Sequence, residues 1–120
     1  MAYRPDLETT LARYAEAWNT ADADTRWSLV HACAASDVTY LGPESPRLVE
    51  GQAALVAFLG VPREGEGGEP DLFEIGPWDV LHDWVRAAWR RTSGGASTTG
   101  LLVARLDREH RFVQILHFAD

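Results

Sequence analysis

Of the residue types that can carry chemistry, this chain holds four His, one Cys and a surplus of acids over bases. The histidines are His31, His82, His110 and His117, and none falls at HxH or HExxH spacing, so a metal site built on His pairs is not indicated. Cys33 stands alone, which excludes an intramolecular disulfide and a multi-thiolate zinc site. There is no Ser-containing nucleophile elbow and no Gly-rich phosphate or dinucleotide motif, so no cofactor is expected. What remains is proton chemistry. An unperturbed imidazole titrates near 6.5, which suits transfer at neutral pH. The densest chemical stretch is His82–Arg91, HDWVRAAWRR. As a strand it has two faces, because side chains alternate. His82, Trp84, Arg86, Ala88 and Arg90 share one; Asp83, Val85, Ala87, Trp89 and Arg91 share the other.

These groups need a frame. At 120 residues the chain is one domain of ordinary size, with 46% hydrophobic residues and no need of a covalent staple. Lys and Arg number 11 against 18 Asp and Glu, a formal charge of −7, which disfavours nucleic acid as a partner. No apolar run reaches the ~18 residues of a membrane span, and MAYRPDLETT has no signal-peptide character. A cytoplasmic protein with no membrane partner is expected. Five Trp is a high count, and large aromatics line concave sites and subunit contacts as well as cores.

The elements follow from periodicity. Pro5 with Asp6 and Glu8 starts a helix, and Leu7, Leu11, Tyr14, Ala15 and Trp18 make its apolar face. It should end between Asn19 and Asp22. Asp24 is expected to cap a second helix, well covered through Trp27, Leu29, Val30, Cys33 and Ala34. Val38–Leu41 reads as a short strand broken by Gly42, Pro43 and Pro46; Leu48 and Val49 extend briefly. Gln52–Leu59 reads as a third helix, stopped by Gly60 and Pro62. Arg63–Pro70, REGEGGEP, reads as a solvated linker. Strands are expected at Leu72–Ile75, interrupted by Gly76-Pro77, then at Val80–Thr92, Ser97–Leu106 and Arg111–Phe118. Ser93-Gly94-Gly95 should be a hairpin turn. Helices followed by a meander predict an α+β fold, with the helices on one face of a curved sheet.

LARYAEAWNTAD, ASDVTYLGP, VEGQAALVAFL, HDWVRAAWR and ARLDREHRFVQILHF, in that order, resemble the nuclear transport factor 2-like superfamily in its SnoaL-like and ketosteroid isomerase-like branch. The resemblance spans nearly the whole chain. It implies one domain over residues 1–120: a cone-shaped, strongly curved mixed or antiparallel sheet and three N-terminal helices enclosing a pocket, of the cystatin-like kind. It also implies a homodimer through the outer sheet face, which here would present Trp84, Arg86, Leu101, Val103, Leu116 and Phe118.

Ketosteroid isomerases use a first-helix Tyr as oxyanion donor, and Tyr14 in LARYAEAW falls there. Their aspartate base precedes the proline after the short strand; Gly42 in TYLGP holds that place. Their second acid belongs on the penultimate strand, where Leu102 or an apolar or Thr neighbour stands. Both acids are replaced, so the isomerase mechanism does not transfer. Laid on the cone, the strands point Asp83, Val85, Ala87 and Trp89, then Thr98, Gly100, Leu102 and Ala104, then Val113, Ile115 and His117 inward. Tyr14, Asp83 and His117 become the catalytic candidates: His117 as base, Asp83 orienting it or acting itself, Tyr14 as donor to an oxyanion. Trp18, Tyr40, Phe58 and Trp89 are the expected pocket residues. The expected function is binding of an apolar polyketide- or steroid-like molecule, with cofactor-free isomerase, cyclase or dehydratase chemistry. The alternative is a non-catalytic homodimeric module with a vestigial pocket.

Overall fold

Helix α1 (Pro5–Asn19) buries Leu7, Thr10, Leu11, Tyr14 and Ala17, the stripe expected of a helix lying on a core. The computed structural model that shows this describes residues 5–60 and 72–120. The predicted linker Arg63–Pro70, and Pro62 of the helix stop, lie outside the described residues. Helix α2 (Ala23–Cys33) starts two residues earlier than expected. Its cap is Asp22, not Asp24: the Asp22 carboxylate accepts from the Thr25 backbone N–H at 2.8 Å, which Asp24, already inside the first turn, cannot do. The helix is also less covered than its stripe implied. Val30 and Cys33 are buried, but Trp27 is 49% exposed and lies against His31.

The chain passes from α2 directly into strand β1 (Ala34–Leu41), longer than the expected Val38–Leu41 because Ala34 already pairs with Phe112. A short β2 (Val49–Glu50) and helix α3 (Gln52–Leu59) follow. Four strands then form the meander: β3 (Leu72–Leu81), β4 (Trp84–Ser93), β5 (Ala96–Leu106) and β6 (Phe112–Ala119). The sheet order is β2-β1-β6-β5-β4-β3. All neighbours are antiparallel except β1 and β6, so the sheet is mixed.

The expected long strand from Val80 is thus two strands joined by a turn at His82-Asp83. Leu81 pairs with Trp84, and His82 takes φ 54°, the left-handed conformation a two-residue hairpin needs. The glycine turn behaves as predicted: Ser93 pairs with Ala96 across Gly94 (φ 56°) and Gly95 (φ 83°). The register of β3 slips at Gly76-Pro77, between Ile75 and Trp78. A second slip, between Arg105 and Leu106, turns Phe112 into the core and leaves Val113 half-buried, correcting the expected parity there. Thr98 is exposed rather than inward. Such bulges bend a sheet, and one face of this one, with Val85, Ala87, Trp89, Leu102, Ala104, Ile115 and His117, is buried beneath the helices.

Candidate functional site

His117 is the polar centre of that covered face. Tyr14, two turns into α1, meets it from the helix layer: Tyr14 Oη and His117 Nε2 share a hydrogen bond of 2.9 Å. Tyr14 is fully buried and His117 is 7% exposed. Around the imidazole stand five aromatic rings, those of Tyr14, Trp18, Tyr40, Phe73 and Trp89, with centroids between 5.0 and 5.8 Å away. Trp18, Phe73 and Trp89 lie within 26° of parallel to it. Trp89 is placed by its cross-strand partner Gly100, whose missing side chain leaves the floor on which the indole lies; a Cβ there would be 2.5 Å from the ring.

Burial among apolar rings disfavours a charged imidazole, and the nearby positive charge of Arg91 adds to the effect. Together they lower the His117 pKa from 6.5 to about 3. The ring is therefore neutral at physiological pH and a weaker base than a free imidazole. When Tyr14 donates to Nε2, the ring's own proton sits on Nδ1, which makes His117 a hydrogen-bond donor on its other side.

A narrow cleft reaches the imidazole. Trp18, Tyr40, Phe73, Trp89 and His117 line its inner part, and Pro43, Glu44 and Arg91 its outer part. Its free interior is about the size of one water molecule. Arg91 and Glu44, both half-buried, form an ion pair at this outer part. Glu44 is carried there by a tight turn: Ser45 N–H donates to the Gly42 carbonyl at 3.2 Å, and Gly42 N–H donates to Ser45 Oγ at 2.9 Å.

The predicted residues divide cleanly. Tyr14 and His117 are brought together, and Trp18, Tyr40 and Trp89 line the cleft. Phe58 stands behind the lining, against Tyr40 at 4.8 Å and Trp18 at 6.1 Å. Asp83 is not in the site. It is exposed in the turn before β4, where its carbonyl accepts from Leu106 N–H at 2.7 Å. The strand assumed to carry it inward has already ended. Phe73, Glu44 and Arg91 were not anticipated. Arg91 shares the inward face of Trp89 in the sequence, a signal that pointed to it; nothing in GPESP alone singles out Glu44.

The places of the two missing acids are occupied in a telling way. A Cβ on Gly42 would stand 2.5 Å from Tyr40 Oη and 3.2 Å from His117 Cβ, so the Tyr40 side chain fills the room an acid would need. Leu102, opposite His117 in the sheet, is fully buried. Among the described residues no three His, Cys, Asp or Glu side chains gather as a metal ion would require. Nor is any described helix long and apolar enough to cross a membrane.

Solved structures share this fold. A SnoaL-like family protein from Agrobacterium tumefaciens, a candidate isomerase, is 26% identical and superposes with a TM-score of 0.80 over 98% of this chain and 99% of its own. A candidate SnoaL-like polyketide cyclase from Jannaschia is 18% identical, with a TM-score of 0.74 over 100% and 91%. A candidate ketosteroid isomerase from Kribbella flavida is 15% identical, with a TM-score of 0.74 over 97% and 78%. No protein-family model and no curated protein matches the sequence. The α+β fold, with three helices and six strands among the described residues, is that of the nuclear transport factor 2-like superfamily.

Proposed function

We propose that this chain is a small-molecule-binding SnoaL-like domain. A flat polyketide- or steroid-like ring system enters beside Trp18, Phe73 and Trp89 once the turn carrying Glu44 moves aside, since the resting cleft has room for one water, and chemistry there is cofactor-free. The observation that carries the reading is the Tyr14–His117 hydrogen bond inside an aromatic wall. Tyr14 fixes the tautomer, and the neutral imidazole donates to a ligand carbonyl, polarising it without a change of charge in a dry site. Incubation with steroid and polycyclic polyketide ketones in deuterated water, followed by NMR, tests this. With no carboxylate base in the cleft, solvent deuteroxide takes the proton beside the polarised carbonyl and water returns a deuteron, so those protons should exchange in a protein-dependent way, and Tyr14→Phe and His117→Gln should lose that exchange.

A second reading is a non-catalytic module with a vestigial pocket. The water-sized interior and the replacement of both acids by Gly42 and Leu102 favour it. Ketone binding without exchange is its signature.

In either case we propose a homodimer through the outer face of β3 to β6. Trp84, Leu101 and Phe118 are exposed there, and Val103 and Leu116 partly so. Two ion pairs bridge the strands on this face, Arg86 with Asp79 at 2.8 Å and Arg90 with Glu74 at 3.2 Å. Two chains of charge −7 meet with least repulsion where the charges are already balanced.

A further inference from the structure

We infer that the ligand of the cleft is an aromatic or polycyclic carboxylate, whose acid group takes the place of Glu44 on Arg91. The inference rests on the small-molecule reading above and narrows its substrate class.

Three observations carry it. First, the cleft is walled by flat rings on the inside and carries one cation at its outer part; its resting interior holds one water, so a flat body enters only as the Glu44 turn moves aside, with its anion at the Arg91 end. Second, that cation is already holding a carboxylate. The Arg91–Glu44 pair is half-buried, and a guanidinium presents a planar fork suited to a ligand carboxylate in the same position. Glu44 belongs to a four-residue turn rather than to the sheet, so its displacement leaves the strands intact. Third, Trp89, 5% exposed, lines the cleft, and its indole N–H is buried with no acceptor among the described residues. A buried donor of this kind calls for an acceptor oxygen, and burial without one is costly. Apart from Glu44, the polar groups lining the cleft are donors or neutral: the Trp18 and Trp89 indoles, the Tyr40 hydroxyl, the His117 imidazole and the Arg91 guanidinium. A lining of this kind selects an oxygen-bearing anion over a cation.

Calorimetric titration of the whole chain with 2-naphthoate and with 2-naphthamide, its neutral isostere, decides the matter. Naphthoate should bind at least about tenfold more tightly than the amide, the discrimination expected of a charge-assisted hydrogen-bonded pair. Glu44→Gln, which removes the internal competitor but keeps the side chain's size, should tighten naphthoate binding about threefold to tenfold and leave the amide nearly unchanged. Arg91→Met should abolish the preference for the acid. Equal affinity for the two compounds in the unaltered protein overturns the anionic assignment while leaving the aromatic cleft standing. Binding of neither compound, in the unaltered chain and in Glu44→Gln alike, removes both.

Discussion

A histidine walled in by five rings and facing an arginine cannot easily take a proton, and that has a cost when the chain unfolds at low pH. In the folded state the His117 pKa is lowered to about 3; in the unfolded chain it returns to 6.5. Between those values the unfolded state binds a proton that the folded state does not. The contribution is therefore fully present above pH 6.5 and is lost progressively as pH falls toward 3. From pH 7 to pH 5 it should reduce stability by about 2 kcal/mol. Urea unfolding at the two pH values should show that decrement, and His117→Gln should remove it. Cys33 shows the same physics with the opposite sign: burial pushes its thiol up to about 12, so it is a core residue and not a nucleophile. At this scale the sequence revealed which residues matter more readily than their state. Helix phase put Tyr14 on the apolar face, while its role and the inward turn of His117 were expectations of the family resemblance. The lowered basicity was not readable, because it depends on Phe73, Trp89 and Arg91 arriving from other strands.

Among the elements, the junction of α1 with β3 has a specific lock. At the helix C-terminus the Asn19 amide lies against the Phe73 backbone: its Nδ2 donates to the Phe73 carbonyl at 2.9 Å, and its Oδ1 accepts from Phe73 N–H at 2.7 Å. The side chain thus pairs as a further strand would, on the outer edge of a sheet whose last strand is β3. Asn19→Ala should lower the free energy of unfolding by about 1–3 kcal/mol and raise aggregation through the uncovered edge. Asn19→Asp, which keeps only the acceptor, should fall between. Denaturant melts with light scattering would check both. Helices were legible here because their apolar spacing is local, and the Gly94-Gly95 turn because glycine marks it. The turn at His82-Asp83 was not, since His is an uncommon choice for φ 54° and the residues on either side read as one continuous strand. That single unseen turn is what misplaced Asp83.

For the whole molecule, the predicted association is directly measurable. Sedimentation at micromolar concentration should show a dimer, and Trp84→Glu with Phe118→Glu, both exposed in the single chain, should yield a folded monomer. A monomer in the unaltered protein would remove the outer face as a subunit contact. The α+β plan and helix order were legible as a whole because each element signals itself. The placing of β1 beside β6 was not, since no local pattern announces a contact between residues so far apart. That parallel pair also governs biosynthesis. Residues 112–119 form the strand that joins β1 to β5. While a ribosome has delivered only the first hundred or so residues, β2 with β1 and the ribbon β3-β4-β5 remain two separate sheets. Each then presents a raw edge, and Tyr14 waits without its imidazole. Chains cut short before residue 112 should therefore aggregate more readily than the whole chain, as light scattering would register.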